Sequence, residues 1–415
     1  MTFVAQYKRM VAKQDTMVIK QAFKFLLHPD SGQETLMRRF AGCSRFVFNF
    51  ALRLEQETYE QCGKRLGYYR LAMMLPDWKE DSATSFLAEA PSQILQQSLK
   101  NLNRAFVNFF EGRAERPRFK KRGKHDSFRY PQGFEVDNDN GRVFLPKLGW
   151  VPYRKSRDIL GTPKQITVRR IAGKWLVSIQ TEREVAKPVH PSTSKIGMDM
   201  GVTRLVTFSD GSYVSPINVL RMYEKKLARA QRCLSRKTKF SRNWHKQKDR
   251  IARLYRKIAD IRADFLHKLT TTISKNHAVV VMEDLSVKNM TRSASGTLEN
   301  PGRNVKAKSG LNKAILDQGW CMFRGMLEYK LGWCGGELTL VPPQYTSQTC
   351  NSCGSISREN RLSQERFSCV SCGMSMHADH NAAMNILAVG LTAPACGGRK
   401  ALALPLNQEP PRFAA

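Results

Sequence analysis

Four of the ten cysteines stand in two Cys-x-x-Cys pairs, Cys350 with Cys353 and Cys369 with Cys372, and fifteen residues separate the pairs. A glycine follows each pair, which lets the backbone turn tightly and present its amides to thiolate sulfurs. Four thiolates in two such turns fit tetrahedral zinc, with redox-active or iron–sulfur pairs as the alternatives. Because no coordination position stays open, the zinc would be structural and would fold a segment too small to build its own core.

Three carboxylates stand far apart in the sequence but in comparable places. Asp199 is in an alternating run between two glycines, Glu283 ends a short apolar run, and Asp379 comes where an Ala-, Ile- and Leu-rich helix begins. Taken singly, an Asp in a strand is usually a turn or edge residue, and an Asp at a helix start is usually a cap. Their shared placement in or at the ends of core elements favours a functional group.

If these carboxylates converge, their mutual repulsion raises their pKa values. A divalent cation removes that penalty, and hard oxygen ligands suit Mg²⁺ or Mn²⁺. Two such ions about 3.5–4 Å apart can hold a phosphodiester, activate a water and stabilise the leaving oxygen. The trio therefore predicts metal-dependent phosphodiester cleavage.

The charge of the chain points to the same class of substrate. Its 415 residues carry 68 Lys and Arg against 35 Asp and Glu, a net charge of +33, and a hydrophobic fraction of 41% indicates a folded protein. Such a cation excess indicates a polyanionic partner. We find no run of about 18 apolar residues and no apolar signal segment near the N-terminus, so we expect a cytoplasmic protein without membrane association.

Two stretches concentrate the positive charge. Residues 113–124 hold seven cations and one anion, and fit either a solvated linker or a phosphate-contacting strip with Phe119 available to stack. Residues 221–268 hold 17 Lys and Arg against four Asp and Glu. A solvated outer helix face is the plain alternative there, but charge of one sign is relieved best by a nucleic-acid backbone.

The elements that must position these residues can be predicted from periodicity. We expect a strand near residues 17–28, a helical region over 33–112, and a β unit over 127–185 with a hairpin turn at Ala172-Gly173. A third unit opens at Lys195 with antiparallel strands and then an antiparallel helical hairpin. The apolar run 278–282 predicts a central, parallel strand, and residues 288–313 predict a mobile loop.

Four segments, taken together, resemble the TnpB family of insertion-sequence proteins, relatives of the compact type V CRISPR effectors. They are GMDMG (197–201), VVVMEDLSVKNM (279–290), PQYTSQTCNSCG (343–354) and HADHNAAMNI (377–386). The resemblance extends over about residues 17–392. The cysteine spacing together with HADHNAAMNI carries most of the specificity, whereas GMDMG alone does not.

The resemblance implies an α+β multidomain fold with a helical recognition domain, a wedge-type β-barrel, and a ribonuclease-H-like (RuvC) nuclease domain with an inserted zinc-ribbon knuckle. The implied boundaries are a wedge strand in 1–32, recognition domain 33–118, wedge 119–190, nuclease 191–345 with a basic hairpin 216–275, zinc ribbon 346–376, last nuclease helix 377–395 and flexible tail 396–415. The loop 288–313 resembles a segment that acts as a lid near the active site.

The implied function is that of a transposon-associated RNA-guided DNA endonuclease. Asp199, Glu283 and Asp379 match the family's catalytic, Mg²⁺- or Mn²⁺-binding positions, and the four cysteines match its zinc ligands. A guide RNA and a double-stranded target DNA with a short flanking motif are the implied partners. We expect a monomer in the prokaryotic cytoplasm, associated with the nucleoid.

One departure and two competing functions remain open. Many relatives carry Arg before the third Asp, where this chain has Ala378, and His380 could supply polar support instead. A guide-directed DNA-binding regulator would not cut, and nuclease-dead relatives are expected to lack one of the carboxylates. A structural RNA-binding protein of ribosomal type would satisfy the charge but would not need the carboxylates in these contexts.

Overall fold

The protein is described from a computed structural model, which covers residues 16–124 and 126–392. The chain divides into two compact units, residues 1–185 and 186–415. Each unit has its own apolar cores, and each is described separately below. The predictions for residues 1–15 and for the tail 396–415 fall outside the described residues.

Helices dominate the first half of unit 1. Its elements are β1 (Thr16–Leu26), α1 (Ser31–Cys62), α2 (Gly67–Met73), α3 (Leu75–Glu80), a 3₁₀ turn (Ser85–Glu89) and α4 (Ser92–Phe110). The α1 helix begins two residues before the expected start because Asp30 caps it, with its carboxylate accepting from Gln33 N while the Gln33 side chain accepts from Asp30 N. The apolar stripes of α1 and α4 are buried against each other, as their three- and four-residue spacing predicts.

The second half of unit 1 is antiparallel β-structure. Its strands are β2 (Ser127–Tyr130), β3 (Glu135–Asp137), β4 (Arg142–Leu145), β5 (Gly149–Pro152), β6 (Thr162–Ile171) and β7 (Lys174–Ala186). One sheet has the order β1-β7-β6-β2 and the other β3-β4-β5. The β6–β7 hairpin turns at Ala172 and Gly173, both with positive φ, as predicted. Because β1 lies next to β7 in the first sheet, the predicted N-terminal strand belongs to the β unit.

Unit 2 is built on a five-stranded sheet of order β10-β9-β8-β11-β12. Its strands are β8 (Lys195–Met200), β9 (Val206–Phe208), β10 (Tyr213–Val214), β11 (Val279–Glu283) and β12 (Glu337–Val341). The β11 strand lies between β8 and β12 and is parallel to both, which confirms the central parallel strand predicted from the apolar run. The short β13 (Arg366–Ser368) and β14 (Ser375–His377) form a separate hairpin.

The helices of unit 2 include the predicted hairpin. They are α5 (Val219–Ser235), α6 (Arg242–Asn276), α7 (Val287–Met290), α8 (Val305–Gln318), α9 (Trp320–Cys334) and α10 (Ala378–Thr392). The α10 helix packs closely against β8. A Cβ added at Gly197 would stand only 2.3 Å from the carbonyl oxygen of Ala383. The glycine before Asp199 thus permits close helix–sheet packing.

The expectation that residues 288–313 form a mobile loop is wrong at both ends. The α7 helix covers Val287–Met290, and α8 begins at Val305. The frequent basic and polar residues hid the helical pattern, but Ile315 is buried and anchors α8. Lys308 Nζ and Asn312 Nδ2 of α8 also donate to backbone carbonyls of residues 290–292. Within the part of the chain described here, no helix is long and apolar enough to span a membrane.

Candidate metal centre and acidic cluster

The four predicted zinc ligands converge. All four Sγ atoms lie within 4.8 Å of one another, with Cys350 to Cys372 at 3.7 Å and Cys353 to Cys369 at 3.6 Å. Sulfurs at tetrahedral corners 2.3 Å from zinc would stand about 3.8 Å apart. A disulfide would bring two sulfurs to about 2.05 Å. The donor set therefore fits a tetrahedral thiolate site and excludes disulfide pairing in this arrangement.

Backbone amides prepare the cysteines for a metal. Gly354 and Gly373 both have positive φ, so the chain doubles back after each pair. The backbone amide of Cys372 is the largest cause of a lowered pKa at the Cys369 thiol. Asn360 is fully buried, donates to the carbonyls of Gln348 and Ser355, and accepts from Val370 N. This asparagine ties the two cysteine turns together, and its role was not predicted from the sequence.

The three carboxylates come from three elements around the same end of the sheet. Asp199 is in β8, Glu283 is the last residue of β11, and Asp379 is in the first turn of α10. The parallel register pairs Met282 with Met198, so Glu283 follows β11 at the level where Asp199 continues β8. The sequence placed each residue on the correct type of element, and the sheet register brings the first two side by side.

These carboxylates interact. Burial raises the pKa of Asp199 to about 7, and the negative charges of Glu283 and Asp379 add to that shift. Burial also raises the pKa of Glu283, which a hydrogen bond from Thr346 and the charge of Arg361 oppose. Among the described residues, only the four cysteines bring three or more possible metal ligands within 4.8 Å. The carboxylates are thus close enough to repel one another, but they form a looser group than the thiolates.

One cation at the acidic cluster was missed in the sequence. Arg361, between the two cysteine pairs, places its guanidinium 3.8 Å from Asp379 Oδ1. Ala378, the residue before Asp379, is fully buried in the small core of the knuckle. His380 contacts the carbonyl of Ser209, whereas His377 Nδ1 lies 4.0 Å from Asp379 Oδ2. Only the position of Arg361 within the knuckle could have signalled this role.

The basic segments are ordered parts of each unit. In the α5–α6 hairpin, Val219, Leu227 and Ile258 form a buried seam that leaves most of the cations outside. In unit 1, Asn49 donates to Lys120 O and accepts from Lys120 N, which attaches the segment 113–124 to α1 at this residue. Phe119 is 49% exposed beside this attachment. The attachment at Lys120 argues against a loose linker there and leaves an aromatic ring accessible among cations.

Comparison with solved structures defines the class of fold. The chain resembles the protein in the "Cryo-EM structure of the Cas12f1-sgRNA-target DNA complex", with a TM-score of 0.56, 15% identity, and coverage of 89% of this chain and 98% of that one. At this identity the likeness concerns the fold alone. The protein thus has the α+β fold of a compact Cas12f-type effector, together with a zinc-ribbon-like cysteine cluster.

Sequence comparisons define the family. Residues 178–294 match the OrfB_IS605 profile described as "Probable transposase", and residues 320–386 match the "Cas12f1-like, TNB domain". The chain is 56% identical over 390 residues to "Putative RNA-guided DNA endonuclease InsQ" of Escherichia coli K12, covering 94% of this chain and 97% of the relative. It is 35% identical to a "Putative RNA-guided DNA endonuclease" of Streptomyces pristinaespiralis, covering 91% of both chains. The chain belongs to the TnpB family.

A third profile, described as "Helix-turn-helix domain", matches residues 17–64. In this structure those residues form the strand β1 and the single long helix α1. Residues 17–64 are therefore not arranged as two helices joined by a turn.

Proposed function

We propose that this protein is a transposon-associated, RNA-guided DNA endonuclease in which Asp199, Glu283 and Asp379 form the cleavage site. The observation that carries the proposal is the convergence of three carboxylates from β8, β11 and α10, close enough that Glu283 and Asp379 add to the raised pKa of the half-buried Asp199. Buried like charges are costly unless a cation joins them. The family membership, and relatives described as RNA-guided DNA endonucleases, indicate that the substrate is a nucleic acid.

The architecture supports a ribonuclease-H-like (RuvC) nuclease for unit 2. Antiparallel strands β10, β9 and β8 continue into the parallel strands β11 and β12, with α10 packed on the sheet. The acids lie on β8, at the end of β11 and at the start of α10. The proposed recognition and wedge domains are the helical and β parts of unit 1.

The residues of the acidic cluster fit hard divalent cations. Mg²⁺ or Mn²⁺ bound there would activate an attacking water and would stabilise the negative charge on the leaving oxygen of a phosphodiester. The side chains themselves act by holding ionised oxygens at fixed points, and Arg361 stabilises the ionised state of Asp199 and Glu283.

The partners follow from charge and from the relatives. The guide RNA and the target DNA are polyanions, and the basic hairpin and segment 113–124 supply cations for their phosphates. The proposed setting is a monomer in the bacterial cytoplasm, acting on target DNA next to a short flanking motif. Zinc at the four cysteines has a structural role. The presence of all three acids disfavours the alternative of a DNA-binding regulator without cleavage.

The test uses the purified protein with a guide RNA against a matching plasmid in Mg²⁺. We expect Asp199→Asn and Glu283→Gln to abolish cleavage, while guide and target binding stay within about threefold, because the acids act on the chemical step rather than on binding. Asp284→Asn is the matched control, since its carboxylate is 61% exposed and pairs with Arg324 beside Glu283. Cleavage by either acid variant at the wild-type rate would refute the assignment.

A further inference from the structure

A threonine outside the acidic trio holds one of the three carboxylates. Thr346 lies between β12 and the first cysteine pair and is 6% exposed, and its Oγ1 stands 2.6 Å from Glu283 Oε1. The other acceptor within reach, the carbonyl of Pro343, is at 3.3 Å. A hydroxyl has one proton, and a bond to an ionised acceptor is the shorter and stronger one. Thr346 therefore donates to Glu283.

The backbone of this threonine is fixed by the helix that carries Asp379. Asn385 Nδ2 donates to Thr346 O at 2.9 Å and to Thr349 O at 2.7 Å, and Asn381 Nδ2 donates to Thr349 O at 2.7 Å. Both asparagines are in α10 and are almost completely buried. Buried amides with all these bonds made resist displacement. The position of Thr346 is therefore set by α10.

The same two asparagines also bind the zinc knuckle. Asn351, between Cys350 and Cys353, donates its backbone N–H to Asn381 Oδ1 at 3.0 Å and its side-chain amide to Asn385 Oδ1 at 3.2 Å. A continuous set of hydrogen bonds thus runs from the first cysteine turn through α10 to Thr346 and Glu283. Every link joins residues of unit 2.

We propose that Thr346 is a positioning residue for Glu283, held in place by Asn385 and, through Asn351, by the zinc knuckle. The proposal rests on the proposed function, in which Glu283 is a metal ligand. A carboxylate at the end of a strand can rotate about its side-chain bonds, and the Thr346 hydroxyl selects one orientation. The second oxygen, Oε2, would then remain available to a metal ion.

The test measures metal binding as well as cleavage, with the zinc-loaded full-length chain. Thr346→Val keeps the branched shape and removes the hydroxyl, Thr346→Ser keeps the hydroxyl, and Thr349→Val is the matched control because that hydroxyl donates only to the Tyr345 carbonyl. Mn²⁺ binding is measured by paramagnetic resonance, and the cleavage rate is measured as a function of Mg²⁺ concentration. Zinc content by elemental analysis reports whether the knuckle is folded.

We expect Thr346→Val to weaken Mn²⁺ binding and to raise the Mg²⁺ concentration for half-maximal cleavage, each roughly 10- to 100-fold, the range for a lost hydrogen bond to a charged group. Thr346→Ser and Thr349→Val should stay within about threefold of wild type, with zinc retained. If Thr346→Val loses zinc, Thr346→Ala is compared with Thr346→Ser instead.

Two outcomes overturn the positioning role: a hydroxyl-free variant that retains zinc and matches wild type in both readouts, or Thr346→Ser that is as defective as Thr346→Val. The Asp199→Asn variant separates this from the proposed function. If that variant cleaves like wild type, the nuclease site itself is wrong. If it is inactive while Thr346→Val binds Mn²⁺ normally, only the role of Thr346 fails.

Discussion

The thiolate cluster and the acidic cluster are two charged sites in the same unit, and they are assembled in opposite ways. The thiolates come from two short turns within residues 350–372, and their sulfurs lie within 4.8 Å of one another. The carboxylates come from a strand, the end of a second strand and the start of a helix, spread over residues 199–379. The thiolate set is compact, whereas the acidic set is looser.

The difference shows what each site contributes. A compact, closed set of thiolates binds its metal for structure, because no position is left for a substrate. In the proposed nuclease, the acids would instead hold ions that contact a phosphate of the substrate. Arg361, between the two cysteine pairs, and Thr346, just before the first pair, both contact the acids, so in the proposed nuclease the structural site would support the reactive one.

Loss of zinc should have the largest effect, because zinc binding contributes roughly 10–16 kcal/mol to the folding of small metal-bound modules. We expect Cys353→Ser to lose zinc and the local fold of the knuckle, and to abolish cleavage because Arg361 and Thr346 lose their positions. Elemental analysis measures the zinc, and plasmid cleavage measures the activity. Cys321→Ser, at an exposed thiol of α9, is the control and should behave as wild type. Full zinc occupancy in Cys353→Ser would refute the four-thiolate site.

Predictability from the sequence follows the same division. The thiolate site could be predicted because its ligands, their spacing and their glycines are local. The element type of each acid could also be predicted, since β8, β11 and α10 have clear apolar patterns. The neighbours of the acids could not be predicted, because Arg361 reaches them only through the folded knuckle and Thr346 through its hydrogen bond with α10. The α8 helix was missed because its one buried apolar residue, Ile315, stands among mostly basic and polar residues.

A second prediction concerns the free-energy cost of ionising Asp199 in the folded chain when no metal is bound. The pKa of Asp199 is about 7 in the folded chain against 3.8 as its ordinary value, so the folded state holds this proton more tightly. Without divalent cations, the contribution of Asp199 to the free energy of unfolding therefore falls as the pH rises from about 4 to 7. Asp199→Asn removes the ionisable group and should raise the free energy of unfolding at pH 8 by up to about 4 kcal/mol.

Urea unfolding of the zinc-loaded protein at pH 6 and pH 8, without added Mg²⁺, measures this effect as the difference between variant and wild type. The Asp284→Asn variant controls for a change of net charge. The gain should shrink at pH 6, where much of Asp199 is protonated. An equal gain at both pH values, or a loss of stability, would mean that the pKa of Asp199 is not raised in the folded chain. Added Mn²⁺ should stabilise wild type more than the variant.

The smallest effect on cleavage should come from removing Arg361, which links the thiolate cluster to the acidic cluster. Arg361 is partly exposed and lies 3.8 Å from Asp379, so its ion pair is partly screened by solvent. We expect Arg361→Ala to slow cleavage by about 10-fold, with zinc content unchanged, while Arg358→Ala, at an exposed arginine nearby, has no effect. Because Arg361 lowers the pKa of Asp199 and of Glu283, its removal raises both. The acidic limb of the pH–rate profile should then move to higher pH in Arg361→Ala and stay in place in Arg358→Ala. A uniform loss of rate at every pH would show instead that Arg361 supports only the fold of the knuckle, and the two clusters would then be linked through Thr346 alone.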